Sequence, residues 1–204
     1  MGIYERWLLP RLLDLAMRNK EATRYRIKTV PQAAGRVLEI GVGSGLNLPF
    51  YGSEVTCLYG LDPSQALLKL AQRKGVCARF PVEFIQGSAE DIPLERNSID
   101  AVVSTFVLCT VPNATRALRE AARVLKPGGT LLFAEHGIAP DAEVESWQQR
   151  LDPLWSRIAG GCHLTRRIDR LIFGAGFQMA RLERKYAKGP RPFSYIYCGR
   201  ACQL

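Results

Sequence analysis

The stretch Val37–Asn47, which reads VLEIGVGSGLN, decides the fold of this chain. A short apolar run that contains Glu39 opens directly into glycines at positions 41, 43 and 45. Glycines at this spacing permit positive φ values and allow backbone N–H groups to approach a ligand closely. Such a turn typically follows a strand at the carboxyl edge of an open α/β sheet, where nucleotides bind. The stretch therefore predicts a buried strand followed by a ligand-binding turn.

The residue at position 46 narrows the choice of ligand. A dinucleotide-binding fingerprint needs a glycine there, and this chain has Leu46. The turn therefore favours an adenosine ligand without a pyrophosphate, with S-adenosylmethionine as the leading candidate; a tight loop without a ligand is the alternative. The residues of this stretch that we expect to bind the cofactor are Glu39, Gly41, Gly43, Ser44, Gly45 and Asn47.

A second strand, predicted over Val55–Leu61, ends at Asp62-Pro63-Ser64. A carboxylate that closes the strand after a glycine turn can accept hydrogen bonds from both hydroxyls of a ribose. Asp62 is also placed to cap a helix predicted from Ser64 to about Lys74, and it could serve both purposes.

Strand and helix patterns alternate along the rest of the chain. This alternation predicts an α/β fold with a mostly parallel sheet and helices on both faces. Asn113 is the predicted N-cap of one helix, and Thr165 that of another, which ends near Phe173. The remaining predictions are strands at 82–86, 98–105, 131–135, 177–186 and 193–201, and helices at 113–125 and 143–158.

Five motifs in a fixed order carry a resemblance to a known family. They are the glycine stretch, Asp62, Ala89-Glu90-Asp91, Ile99-Asp100 and Leu125-Lys126-Pro127-Gly128-Gly129. Over residues 36–137 the chain resembles class I S-adenosylmethionine-dependent methyltransferases, especially the branch of the ubiquinone and menaquinone C-methyltransferases.

The resemblance implies a Rossmann-like, seven-stranded sheet that ends in an antiparallel hairpin. It also implies cofactor contacts by residues beyond the glycine turn, namely Asp62, Pro63, Ala89, Glu90, Ser104 and Thr105. Ser88 stands where the quinone branch commonly has an Asp that contacts the adenine amino group, so Glu90 or Asp91 would have to supply that acceptor.

A narrower resemblance lies further along the chain. The segments that carry it are Val107–Val111, Glu135-His136, Trp147–Gln149, Pro153-x-Trp155 and Gly161–Arg166. They are similar to the membrane-associated alkyl-thiol S-methyltransferases of animals, and this similarity implies an apolar thiol as the methyl acceptor.

The acceptor decides whether the reaction needs a base. A thiol has a pKa of about 8.5 and is partly ionised at neutral pH, whereas an alcohol or an enolisable carbon needs a general base. The chain has two histidines. His136 follows the predicted fifth strand at the carboxyl edge of the sheet, and His163 lies in a loop that could fold over the same opening. Each is a candidate base or a packed polar residue.

The charge of the chain is unevenly distributed. The net charge of +9 divides into +5 over residues 1–36, −4 over 37–146 and +8 over 147–204. A basic flank can steer an anionic substrate, lie on an anionic membrane, touch nucleic acid or be only a solvated surface. Residues 3–27 have the pattern of an amphipathic basic helix interrupted by Pro10. We expect this helix to be a lid on the cofactor cleft, with peripheral contact to an anionic membrane as the alternative.

The length and composition of the chain favour one domain over residues 1–204. We expect a helical lid at 1–35, the cofactor-binding core at 36–137, and substrate-side helices with the terminal hairpin at 138–204. No apolar run approaches the ~20 residues needed to span a bilayer, and no secretory signal is visible. Six cysteines without a Cys-x-x-Cys pair favour free thiols in the cytoplasm over disulfides or a metal site.

The sequence leaves several acceptor classes open. Methylation of an apolar thiol is the main hypothesis, followed by O-, N- or C-methylation of a quinone-like or lipid acceptor. RNA methylation is less favoured, because Ser104–Val107 lacks the Asn/Asp-Pro-Pro-aromatic motif of adenine N6-methylating enzymes. A cofactor-binding protein without catalytic activity is the remaining alternative.

Overall fold

The computed structural model describes residues 14–203. The bounds of its elements follow the alternation that the sequence predicts. The helices are α1 (Lys20–Thr29), α2 (Gln65–Gly75), α3 (Ala114–Val124), α4 (Ala142–Ile158) and α5 (Ile168–Gly174). The strands are β1 (Gly35–Ile40), β2 (Val55–Asp62), β3 (Val82–Gln86), β4 (Ile99–Thr105), β5 (Leu125–His136), β6 (Phe177–Tyr186) and β7 (Tyr195–Gln203).

The seven strands form one sheet in the order β3-β2-β1-β4-β5-β7-β6. The first five strands are parallel, and β7 runs antiparallel to both β5 and β6. The predicted mostly parallel sheet with a C-terminal hairpin is therefore confirmed. Ile40 pairs with Leu61 on one side and with Ser104 on the other. This register brings the ends of β1, β2 and β4 together at the point where the strand order reverses, which is where open α/β sheets bind ligands.

Neighbouring residues of a strand point to opposite faces of the sheet. Apolar side chains cover both faces, so both are buried. One apolar cluster contains Leu38 and Phe133 and is covered by α3 through side chains such as Leu118. The other contains Val37 and Leu132, together with side chains from the segments around Val30, Leu48 and Tyr51. The sheet is thus the central layer of the molecule, and its carboxyl edge is held in place from both sides.

Two of the predicted helix starts are correct. The Oδ1 atom of Asn113 accepts a hydrogen bond from the backbone N–H of Arg116 at 3.0 Å, and the Ser64 hydroxyl accepts one from Leu67. In both cases the cap depends on a side chain and a backbone group three residues apart, so the signal is local.

The predicted cap at Thr165 is wrong, because α5 begins at Ile168. Residues on either side of Thr165 are tied to other parts of the fold. The backbone N–H of Leu164 donates to Asp152, and the backbone carbonyl of Arg166 accepts from Ile138. These contacts move the N-cap of the helix by two residues, from the predicted Thr165 to Arg167.

Three other boundaries also move. The strand β7 begins at Tyr195 rather than at Phe193, because residues 191–193 form a short 3-10 turn. The strand β5 begins at Leu125 rather than at Leu131, because Leu125 already pairs with Ile99. Positions 3–13 of the helix predicted over 3–27 lie outside the described residues. In the described part, α1 starts at Lys20, and the Asn19 side chain caps it.

Candidate active site

The three glycines of the turn after β1 all have left-handed backbone conformations. The φ angles of Gly41, Gly43 and Gly45 are 65°, 55° and 74°. A Cβ atom on Gly41 would lie 2.3 Å from Val107, whereas one on Gly43 would meet only a backbone oxygen at 3.9 Å. Gly41 is therefore required for close packing, and Gly43 leaves an open approach to the backbone of the turn.

Asp62, at the end of β2, joins the glycine turn to the start of α2. Its Oδ2 atom accepts a hydrogen bond from the N–H of Gly43 at 2.9 Å, and its Oδ1 atom accepts one from Ser64 at 2.8 Å. The carboxylate is only 6% exposed, and burial raises its pKa. It thus lies beside the turn, as predicted, and it also supports the start of α2, while Pro63 next to it is exposed.

A buried polar network lies beneath the turn. Glu39 accepts hydrogen bonds from the Asn47 amide at 2.9 Å and from the Tyr51 hydroxyl at 2.7 Å. The same amide nitrogen donates to the Thr105 hydroxyl at 3.0 Å. The Oδ1 atom of Asn47 is buried and has no hydrogen-bond partner within the described chain. An acceptor left free in this position suits a ligand that carries hydrogen-bond donors, such as the amino group of S-adenosylmethionine.

Glu39 provides a test of this network. Burial raises the pKa of Glu39 to about 8, despite the hydrogen bonds and the nearby Arg26 that lower it. Between the unfolded pKa of about 4.3 and the folded value, the folded protein keeps a proton that the unfolded chain releases. The free energy of unfolding of the cofactor-free protein should therefore fall as the pH rises through this range.

We expect Glu39→Gln to reduce that fall, since the amide does not ionise. Denaturant unfolding of both proteins at about pH 5 and about pH 8 measures the difference. An identical pH dependence in the two proteins would contradict the assignment to Glu39.

The described part of the N-terminal segment contacts the cleft. The side chain of Ser44 in the glycine turn hydrogen-bonds to Asp14 and, at 3.2 Å, to Lys74. Arg26 on α1 is 5% exposed, its guanidinium lies 5.9 Å from the ring centroid of Phe106, and its Nε atom has no partner within residues 14–203. Its buried charge suits the carboxylate of a bound amino-acid moiety. These contacts place the described part of the segment beside the glycine turn and the end of β4.

Sequence reasoning missed Arg26 and Phe106. Phe106 follows β4 with a φ of 60°, a rare conformation for a bulky residue and one that clusters at functional sites. No local pattern marks this strain, and Arg26 is one of several basic residues on a polar helix. Only the tertiary structure brings the two side chains to the cleft.

Two other predicted cofactor contacts have hydrogen-bond partners within the protein. The Oε1 atom of Glu90 accepts a hydrogen bond from the N–H of Asn113 at 2.7 Å, so this carboxylate supports the start of α3. The Ser104 hydroxyl donates to Glu135 at 2.6 Å and is fully buried. Of the two acids proposed as adenine acceptors, Glu90 and Asp91, only Asp91 is exposed. Ala89, another predicted cofactor contact, is buried in the core.

Glu135, near the end of β5, organises the loop that follows β4. It is fully buried and accepts hydrogen bonds from the Ser104 hydroxyl and from the N–H groups of Val107 and Cys109, at 3.1 and 3.3 Å. Burial raises its pKa, and these donors oppose the rise. The carboxylate therefore holds the loop after β4 against the end of β5, where His136 lies.

His136 is the centre of a compact cluster at this edge. It is 6% exposed, and its Nδ1 atom lies 3.8 Å from the sulfur of Cys162. Its Nε2 atom is buried without a hydrogen-bond partner in the described chain. Cys109 lies beside Cys162. This contact and the neighbouring His136 lower the pKa of Cys162. The same contact, together with burial, raises the pKa of Cys109.

His163 has a different environment. Its Nδ1 atom lies 2.9 Å from the Asp152 carboxylate, and its backbone N–H donates to the carbonyl of Cys109 at 2.7 Å. The side chain is thus bound to α4. The residue holds the loop that carries Cys162 against the loop after β4, and we assign it this positioning contact.

The sheet order, the left-handed glycine turn and the buried carboxylate after β2 define a class I S-adenosylmethionine-dependent methyltransferase. A family model described as "Methyltransferase domain" matches residues 38–133. A Thermotoga maritima SAM-dependent methyltransferase has a TM-score of 0.68 and 21% identity, and the match covers 99% of this chain and 98% of that one.

Two relatives show which methyltransferases the chain is similar to in sequence. Thiol S-methyltransferase TMT1B of Homo sapiens is 36% identical over 182 residues, which are 85% of this chain and 72% of the relative. Phosphatidylethanolamine N-methyltransferase of Cereibacter sphaeroides is 34% identical over 65% of this chain and 66% of the relative. The chain belongs to this family of S-adenosylmethionine-dependent methyltransferases.

The chain spans 64 to 72% of the length of its human and rodent thiol S-methyltransferase relatives. Within residues 14–203, no helix is long and apolar enough to cross a bilayer.

Proposed function

We propose that the protein transfers a methyl group from S-adenosylmethionine to a small, apolar thiol. The observation that carries the proton transfer in this proposal is the buried, unpartnered Nε2 atom of His136 at the carboxyl edge of the sheet, which would serve any acceptor that loses a proton. An imidazole nitrogen in this position can receive the proton that a thiol loses. Relatives named thiol S-methyltransferase support the choice of acceptor.

The residues around the cleft have separate roles in this proposal. When bound, the cofactor supplies an activated methyl group on a sulfonium. The open turn at Gly43 and the carboxylate of Asp62 hold its adenosyl part, while Asn47 and Arg26 hold the charged amino-acid part. His136 accepts the proton of the acceptor at Nε2, and Cys162 beside Nδ1 fixes the orientation of the ring. Much of the catalysis then comes from positioning, up to ~7–11 kcal/mol in favourable cases.

A lipid acceptor is the second candidate, because a relative is named phosphatidylethanolamine N-methyltransferase. An amine acceptor would also need to lose a proton, and the same nitrogen of His136 would serve. For residues 3–27 the proposed role is a lid on the cofactor cleft, with peripheral contact to an anionic membrane as the alternative.

Methylation assays with labelled S-adenosylmethionine distinguish these acceptors. We expect the full chain to methylate alkyl and aryl thiols of increasing apolar size at rates well above those for phenols, quinols, amines, phospholipid and RNA. Asp62→Ala serves as the control for cofactor-dependent signal. A higher kcat/KM for phospholipid or quinol than for every thiol would overturn the proposed acceptor.

A further inference from the structure

The outer side of α4 carries an exposed apolar stripe. Trp147, Leu151, Leu154 and Ile158 follow one another at spacings of three or four residues and therefore share one face of the helix. Trp147, Leu154 and Ile158 are 50%, 61% and 55% exposed, and Leu151 is half-buried. Large apolar side chains grouped in this way mark an interaction surface rather than scattered surface residues.

The other side of α4 is firmly anchored, so the stripe has a fixed outward direction. Gln148 is fully buried, accepts a hydrogen bond from Ala139 and donates to the carbonyls of Gly137 and Pro192. The ring of Trp155 packs 4.5 Å from that of Phe193, centroid to centroid. A rotation of the helix that buried the stripe would break these contacts.

The charges around the stripe indicate the chemistry of the partner. Arg150 and Arg157 lie along one margin of it, and neither forms an ion pair within residues 14–203. The Arg150 guanidinium lies 5.7 Å from the ring centroid of Trp147. The helix also has three acids. Glu145 is paired with Arg167 and Asp152 with His163, which leaves Glu143 in the first turn.

We propose that this face of α4 binds the surface of an anionic lipid bilayer. An apolar stripe with an aromatic ring, bordered by arginines whose chains can reach the headgroups, fits the interface between water and acyl chains. A second copy of the chain is a poorer occupant, because a symmetric contact would bring the unpaired arginines of both copies together on proteins of net charge +9. This surface does not depend on which acceptor the enzyme uses.

The helix that carries the stripe also contacts the active site. The inner side of α4 provides Asp152, which holds the loop that carries Cys162, and Cys162 contacts His136. The same helix therefore faces the bilayer on one side and the acceptor site on the other. Apolar acceptors dissolved in the bilayer would reach the site near the membrane surface.

Flotation of the full chain with vesicles tests the proposal. The triple variant Trp147→Gln/Leu154→Gln/Ile158→Gln is compared with Val76→Gln/Phe173→Gln, which removes apolar side chains that are 86% and 77% exposed outside α4. On equimolar phosphatidylcholine and phosphatidylglycerol, we expect the triple variant to bind at least about tenfold more weakly and the control to bind like the original protein. Arg150→Gln/Arg157→Gln should weaken binding in low salt but have little effect in high salt.

Four results would bear on the assignment to α4. Equal flotation of the triple variant and the original protein would overturn it and leave residues 3–27 as the contact. Failure of the original protein to float, or equal binding to pure phosphatidylcholine, would also overturn it. Light scattering that shows a dimer disrupted by the triple variant would reassign the stripe to self-association. We expect the triple variant to methylate a water-soluble thiol at the same rate as the original protein. A loss of flotation would then not come from damage to the active site, and the test stays independent of the proposed reaction.

Discussion

Asp62→Ala is expected to weaken the binding of S-adenosylmethionine by about 100-fold or more. The carboxylate lies at the end of β2, where it can accept two hydrogen bonds from the ribose of the cofactor. Hydrogen bonds to a charged group contribute about 1.5–3 kcal/mol each, and every 1.4 kcal/mol is a factor of about ten in affinity. The substitution also leaves the N–H groups of Gly43 and Ser64 without their acceptor, which loosens the turn. Titration calorimetry measures the loss directly.

Two comparisons show whether the loss is specific. Glu83→Ala removes one negative charge from an exposed position on β3 and should leave the affinity unchanged. Asp62→Asn keeps the size of the side chain but loses its charge, so its affinity should lie between those of the alanine variant and the original protein. Thermal unfolding confirms that each variant is folded. An affinity for Asp62→Ala within about twofold of the original would remove Asp62 from the cofactor site.

The parts of the fold that the sequence predicts correctly depend on short-range patterns. The apolar run before Gly41 becomes β1 because its side chains are buried on both faces of the sheet. The helix α3 begins where Asn113 caps it, because the cap and its partner are three residues apart. The mostly parallel seven-stranded sheet with its terminal hairpin also follows from this alternation together with the family resemblance. Local spacing carries enough information for these features.

The parts that the sequence does not predict depend on contacts between distant residues. Thr165 has the chemistry of a cap, but the neighbouring loop is held by Asp152 and Ile138. Glu90 is a predicted adenine acceptor, and the sequence gives no sign that its carboxylate also accepts a hydrogen bond from the N–H of Asn113 at the start of α3.

The active-site cluster shows the same limit. The sequence indicates His136 from its place after β5, because the carboxyl edge of the sheet is where substrates arrive. It gives no sign that Cys162, 26 residues further along, lies against the Nδ1 atom of that ring. It also gives no sign that the side chain of His163, in the loop beside this opening, lies against Asp152. Proximity across loops decides these roles.

His136→Ala is expected to lower kcat/KM for a thiol acceptor by about 100-fold to 1,000-fold at neutral pH, while the affinity for the cofactor stays the same. The imidazole is buried, and its Nε2 atom has no other partner in the described chain, so it is free to accept the proton of the acceptor. General-base catalysis of this kind contributes factors of about 10² to 10⁴. Single-turnover kinetics together with calorimetry separate the chemical step from cofactor binding.

The pH dependence of the variant distinguishes a base from a residue that only packs. Without the imidazole, the rate follows the fraction of acceptor already ionised, so kcat/KM should rise about tenfold per pH unit up to the thiol pKa of about 8.5. The gap to the original protein should therefore narrow in alkaline solution, and it should be smaller for more acidic aryl thiols. A packing defect would lower the rate equally at every pH and for every thiol. His163→Ala is the matched control, because this ring is paired with Asp152, and its loss should leave the shape of the pH profile unchanged. A parallel pH profile for His136→Ala and the original protein would show that the acceptor ionises without His136.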